Sequence, residues 1–193
     1  MKKICVYCGS SKGFRPEYVA AARFLAEELL LREIGLVYGG AHVGIMGEIA
    51  DTVLKGGGEV IGIMPQALVD REVSHPGLTD LVIVNSMHER KAMMADLSHG
   101  FIALPGGLGT VEELFEILTW SQLGFHKKPC GLLNASGYYD HLSAFLDHTV
   151  AEGFVMAAHR SMLIVEKDPI RLLDRFAAYE PPQVNKWIDR ENT

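Results

Sequence analysis

Residues 101–113 read FIALPGGLGTVEE. A short apolar run meets a proline and two glycines, then a third glycine, a threonine and two adjacent glutamates. Gly106, Gly107 and Gly109 lack Cβ atoms, so backbone N–H groups can approach a ligand closely there. A helix beginning just after them presents free N–H groups and the positive end of its dipole, a setting for an anion such as phosphate. Thr110 is a candidate N-cap; alternatively its hydroxyl bonds the anion. The run is not a Walker loop, because no lysine follows the glycines, and it lacks the G-x-G-x-x-G dinucleotide pattern. Glu112 and Glu113 raise the chemical question. As helix-start acids they gain about 0.3–1 kcal/mol from the dipole, and one glutamate is enough for that. Beside a phosphate two carboxylates are a cost, which makes sense if one of them faces a reacting carbon. Spacing alone leaves both readings open.

A second stretch, NSMHERKAMMADLSHG, puts Arg90 and Lys91 in the first turn of a helix. Cations there oppose the dipole, so an anionic ligand or nearby carboxylates are needed to explain them. The alternative is a solvated charged face shared with Glu89 and Asp96. Met87, Met93 and Met94 suit either an apolar base pocket or the core. Two further turns carry weaker signals. Gly39, Gly40, Gly44 and Gly47 bracket a tight entry into a helix, and Ser10 and Ser11 in GSSKG serve as caps or as substrate contacts.

These residues need elements to bring them together. Strand-like runs at 3–8, 36–38, 60–64, 81–84, 101–104, 131–133 and 162–165 alternate with helical patterns at 17–32, 45–55, 87–99, 111–123, 139–152 and 169–176. The runs are apolar on both faces. The expectation is a doubly wound, Rossmann-like α/β fold: a mostly parallel sheet with helices on both faces. Residues 1–180 are expected to form one domain, with 181–193 a peripheral tail. The helix-to-strand connections are short and plain, whereas the strand-to-helix connections hold the glycines and polar residues. In a parallel sheet those polar loops share the carboxyl edge, where ligands bind.

Composition narrows the classes. The chain has 193 residues, 48% hydrophobic and 22% charged, as in soluble globular proteins. A net charge of −6 argues against a broad nucleic-acid surface. No apolar stretch approaches membrane-spanning length, and the start MKKICVYCGSS is too short in its apolar part for a signal-peptide core. Three cysteines suit a reducing cytoplasm better than a disulfide framework. Cys5 and Cys8, three apart on a strand, point to opposite faces and should not pair. Metal binding is poorly supported: no H-x-x-x-H pair lies near a carboxylate, and His141 and His148 read as an exposed pair on a helix. No cofactor is called for.

PGGLGTVEE fits P-G-G-x-G-T-x-x-E, and MHERK precedes it by one helix and one strand. Together they resemble the LONELY GUY (LOG) family of cytokinin riboside 5′-monophosphate phosphoribohydrolases. The resemblance extends through YGGAHVGIMG, VIGIMP, ILTWSQLG, KPCGLLN and GYYD, over about residues 1–175. Where the family often has a third glycine after Tyr-Gly-Gly, this chain has Ala41. Such proteins have often carried a lysine decarboxylase label, but no pyridoxal-phosphate lysine motif is recognisable. The resemblance implies hydrolysis of the N-glycosidic bond of a nucleoside 5′-monophosphate, giving ribose 5-phosphate and adenine or an N6-modified adenine. It implies Glu113 and Arg90 as catalytic residues. It implies a substrate site of Ser10, Glu72, Met87, Lys91, Gly106, Gly107, Leu108, Gly109, Thr110, Val111, Glu112 and Thr119, and a homodimer with the site near the interface. A non-catalytic nucleotide or cofactor carrier of the same fold is the alternative.

Overall fold

The computed structural model of the chain describes residues 1–70 and 73–182. Glu72 and all but the first two residues of the expected tail lie outside the described residues. Seven strands are joined by helices in the order β1 (Lys3–Tyr7), α1 (Pro16–Leu31), β2 (Gly35–Tyr38), α2 (Gly44–Lys55), β3 (Val60–Pro65), α3 (Gln66–Val69), β4 (Asp80–Val84), α4 (Met87–Leu97) and β5 (Phe101–Ala103). There follow α5 (Leu108–Gln122), β6 (Cys130–Leu133), a 3₁₀ turn (Ala135–Gly137), α6 (Asp140–Ala151), α7 (Ala157–Arg160), β7 (Leu163–Glu166) and α8 (Pro169–Ala177). The seven expected strands and six expected helices are all present. The one-turn elements α3, α7 and the 3₁₀ turn, too short to show a period, are additions.

The sheet order is β4-β3-β2-β1-β5-β6-β7, and every pairing is parallel. Alternation along each strand sends side chains to two apolar layers. Ile4, Val6 and Cys8 pack with α1, α2 and α8 on one face, while Cys5 and Tyr7 pack with α4, α5 and α6 on the other. Cys5 and Cys8 therefore lie on opposite faces, as spacing predicts, and both are free thiols. The edge strand β4 departs from the two-faced apolar pattern, with Asp80 and Ile83 exposed. Among the described residues its outer side has no neighbouring strand.

The topology decides where ligands meet the sheet. From β1 the chain winds outward through β2, β3 and β4, then returns to the other side of β1 with β5. Cys5 pairs with Phe101 and Val6 with Ile102. At this reversal the loops after β1 and β5 diverge to opposite faces, which opens a crevice at the carboxyl edge.

Candidate active site

A cleft of about 310 Å³ occupies this reversal point. Its lining includes Ser10 from the loop after β1, Gly39 after β2, Met46 on α2, Met87 and Arg90 on α4, and Gly107, Leu108, Gly109, Thr110, Glu112 and Glu113. Residues far apart in sequence thus share one wall because their loops share one sheet edge.

The glycine run starts α5 earlier than expected. Gly107, not Thr110, is the N-cap, and its φ of −91° and ψ of −155° are extended. Leu108, Gly109 and Thr110 form the first turn, so the helix N-terminus lies inside the glycine run itself. Thr110 is buried, and its side chain packs over Gly106, where a Cβ would overlap its Oγ1. Gly106 faces a neighbouring hollow rather than the cleft, and Val111 lines neither.

The other glycine loop is not built for an anion. In the first turn of α2 the N–H groups of Ile45 and Met46 donate to Gly9 O at 3.0 and 3.4 Å. A Cβ on Gly44, which has φ of +61°, would overlap the Ser10 backbone. The glycines here let the loops after β1 and β2 close on one another. Ala41 needs no positive φ. Its carbonyl accepts from Tyr38 Oη at 3.2 Å, and it bridges to Ser74. The absence of a third glycine thus costs the backbone nothing. Residues 73–75, just after Glu72, run antiparallel to this loop: His42 N–H donates to Val73 O and His75 N–H to Gly40 O.

Arg90 is set in place by the start of α4. Ser86 Oγ accepts from the Glu89 N–H at 3.1 Å, and Glu89 Oε2 accepts from the Asn85 N–H at 2.8 Å. The S-x-x-E spacing in SMHE is the sequence signal for this cap, and reading it would have fixed the first turn. Arg90, one turn in, is 8% exposed. Its Nη2 stands 3.5 Å from Glu113 Oε1, and its Nη1 donates to Met87 Sδ at 3.8 Å. Nε is buried without a hydrogen-bond partner. Against this guanidinium lies Gly39: a Cβ there would overlap Nη2. Sequence reasoning saw Gly39 only as part of a turn and missed this contact. It also missed Tyr7 and Met46 as lining residues.

Lys91 spends its charge on the carboxylates of α5 rather than on the cleft. Lys91 Nζ donates to Glu112 Oε1 at 2.8 Å and Glu116 Oε1 at 3.0 Å. The bond to Glu112 holds the Lys91 ammonium above its ordinary pKa. Lys91 does not line the cleft. This answers why a cation sits in the first turn of α4: carboxylates of α5 hold it. Glu113 differs. Burial pushes its carboxyl above the usual carboxylate range, against the opposing pull of the Arg90 cation. Thr119 is exposed, donates its hydroxyl to Phe115 O at 2.7 Å, and is not among the residues lining the cleft. Met94 belongs to the core and Met93 packs against it, whereas Met87 borders the cleft. Among the described residues, no three His, Cys, Asp or Glu side chains come together as a metal site.

Comparison with known proteins places the chain in a family. A family model described as "Possible lysine decarboxylase" matches residues 46–176. The chain is 48% identical over 180 residues to a probable cytokinin riboside 5′-monophosphate phosphoribohydrolase, LOGL9, of Oryza sativa subsp. japonica, covering 93% of this chain and 79% of the relative. It is 46% identical, with the same coverage, to the cytokinin riboside 5′-monophosphate phosphoribohydrolase LOG5 of Arabidopsis thaliana. Among solved structures, the molybdenum cofactor binding protein of Rippkaea orientalis superposes with a TM-score of 0.69 at 21% identity, over 92% of this chain and 97% of that one. That likeness extends to the fold. With its sequence similarity running almost end to end, the chain belongs to the LOG family of cytokinin riboside 5′-monophosphate phosphoribohydrolases.

Proposed function

We infer that this chain hydrolyses the N-glycosidic bond of a nucleoside 5′-monophosphate carrying adenine or an N6-modified adenine, releasing the free base and ribose 5-phosphate. The observation that carries the reading is the placement of a largely buried carboxylate, Glu113, in the same cleft as the N-terminus of α5. The N–H groups of the first turn hold the 5′-phosphate. Glu113, one turn further, faces the anomeric carbon. As the bond from C1′ to the base lengthens, positive charge develops on C1′ and the ring oxygen, as in glycoside hydrolysis generally. The carboxylate stabilises that charge and takes a proton from the attacking water. The base leaves with the bonding electron pair and takes a proton from solvent, and Glu113 returns the water's proton to solvent. Arg90 cannot supply that proton, since a guanidinium does not deprotonate in proteins. Its role is to orient Glu113 and to donate a hydrogen bond toward the departing base.

The decarboxylase description fits poorly, because no lysine is among the described residues that line the cleft. Schiff-base chemistry on pyridoxal phosphate needs one. Met87 and Leu108, both exposed at the rim, and Thr119, outside its own chain's cleft, suit a homodimer in which a second copy closes the site. Sedimentation of the free protein checks that assembly.

The test of function is base release from adenosine, AMP, ADP and ATP at equal concentrations. The phosphate lies several bonds from the reacting carbon, so its binding energy acts by fixing the ribose against Glu113. AMP is expected to exceed adenosine in kcat/KM by at least about a hundredfold, with ADP and ATP poor. Comparable efficiency for adenosine and AMP would overturn the reading, and tight AMP binding without base release would point to a carrier.

A further inference from the structure

Three consecutive carbonyls between β5 and α5 are each taken by a donor from another part of the chain. Leu104 O accepts from Tyr139 Oη at 2.6 Å, Pro105 O from the Gly9 N–H at 3.1 Å, and Gly106 O from Tyr138 Oη at 2.6 Å. The two tyrosines sit side by side just after the 3₁₀ turn that follows β6. Their own backbone is well fixed. Asn134 Oδ1 accepts from the Tyr139 N–H at 2.7 Å, and Asn134 Nδ2 donates to Asp140 Oδ1 at 2.7 Å. Ser136 and Gly137 turn the chain there with φ of +50° and +74°. The Tyr138 ring meets Tyr18 and Tyr139 edge to face, at 5.4 and 4.9 Å between centroids.

The peptide geometry gives these bonds a consequence for the ligand. In a planar trans peptide the carbonyl of one residue and the N–H of the next point in opposite directions. Tyr138 lines a hollow of about 280 Å³ on the far side of the glycine loop, with Ser11, Lys12 and Tyr18, and does not line the cleft. Gly107 borders both. With the Gly106 carbonyl drawn toward Tyr138, the Gly107 N–H is turned away from it.

We propose that Tyr138 is a positioning residue for phosphate: by holding the Gly106 carbonyl, it aims the Gly107 N–H at the 5′-phosphate alongside the first turn of α5. It touches neither ribose nor base and moves no proton. The inference rests on the phosphoribohydrolase reading and names how that site sets its phosphate contacts.

Tyr138→Phe keeps both ring contacts and removes only the hydroxyl. The measurements are kcat/KM for AMP and adenosine, inhibition by ribose 5-phosphate, AMP binding by calorimetry, and the thermal midpoint. Tyr139→Phe, which frees Leu104 O instead, is the comparison. For Tyr138→Phe, kcat/KM for AMP is expected to fall about five- to tenfold, the size of one lost hydrogen bond, and ribose 5-phosphate inhibition and AMP affinity to weaken alike. Adenosine should change by less than about twofold, since it has no phosphate for the loop to meet. Tyr139→Phe should lower the thermal midpoint while leaving the AMP-to-adenosine ratio in place. The proposal is overturned if AMP kinetics and affinity are unchanged, if AMP and adenosine fall together, or if Tyr139→Phe shifts the ratio equally. A wild type that releases no base from AMP defeats the functional reading instead. Tyr138 is then read by calorimetry alone, where equal AMP affinity in wild type and Tyr138→Phe overturns the proposal.

Discussion

Arg90 Nη2 and Glu113 Oε1 stand 3.5 Å apart, on two helices separated by strand β5, with side chains only 10% and 12% exposed. Charge-assisted hydrogen bonds run about 2.7–2.9 Å, so this pair attracts without being consumed by the contact. A cation and a carboxylate removed from water in loose contact keep donors and acceptors for a third partner. Lys91, by contrast, is bonded at 2.8 and 3.0 Å and has little left to offer.

Replacing the carboxylate without changing its shape separates chemistry from binding. Glu113→Gln is expected to lose about 10²–10⁴-fold in kcat, the usual share of a general acid or base, while still binding AMP. Arg90→Ala should be severely impaired in kcat as well; a rise in KM alone would reassign Arg90 to binding. Steady-state base release with calorimetric AMP binding reads both. A near wild-type kcat in Glu113→Gln would remove that residue from the reaction.

The acid limb of the pH profile follows from burial of Glu113. Burial raises its carboxyl above the ordinary value, with the Arg90 cation opposing. Activity needs the ionised form, so it is present above the raised pKa and is lost as pH falls through it. The limb in kcat should therefore lie at higher pH than an ordinary glutamate, near 4.3, would give. The profile is best taken at saturating AMP, because a phosphate monoester itself titrates near about pH 6. A limb at or below the ordinary carboxylate value would contradict the assignment.

Gly39→Ala tests the seat of the arginine. The backbone there has no positive φ, so alanine suits its torsions, but the methyl would overlap Arg90 Nη2 and come within 2.6 Å of Met46 Cε. The guanidinium must move. A displacement of about 1 Å in a catalytic group can cost roughly a hundredfold, and a loss of that order in kcat is expected with the protein still folded. Circular dichroism and kinetics check this together; full activity would show that Arg90 relocates at no cost.

Lys91→Ala should leave the phosphate site largely intact. Its ammonium serves Glu112 and Glu116 rather than the cleft, so KM for AMP is expected to change by no more than about threefold. The loss of stability should be about 1 kcal/mol or less, as for other partly exposed ion pairs. Urea denaturation and KM measure the two effects. A tenfold rise in KM would restore Lys91 to the ligand.

Activity is expected to survive EDTA, because carboxylate chemistry at the anomeric carbon calls for no Lewis acid. Loss on chelation, restored by a divalent ion, would overturn the metal-free mechanism.

Much of the architecture is legible in the sequence, because local rules carry it. Apolar period set the seven strands and six longer helices. The contrast between plain and glycine-rich connections put the chemistry on one sheet edge. The P-G-G-x-G-T-x-x-E run with MHERK pointed to the family, and Arg90 and Glu113 do meet in one cleft. What the sequence could not decide was which side chain spends its charge on which neighbour. Arg90 and Lys91 are adjacent and alike in charge, yet one turns inward against Gly39 and Glu113 while the other turns to Glu112 and Glu116. Thr110 suits a cap by residue type, but the N-cap falls three residues earlier, at Gly107, and the helix begins at Leu108. Thr119, on the expected helix, did not reach its own chain's cleft. The bonds from Tyr138 and Tyr139 to the glycine loop span 32 and 35 residues, and no period or motif encodes them. Such contacts arise only when the packing of distant segments sets the direction of each side chain, and that is a property of the folded chain as a whole.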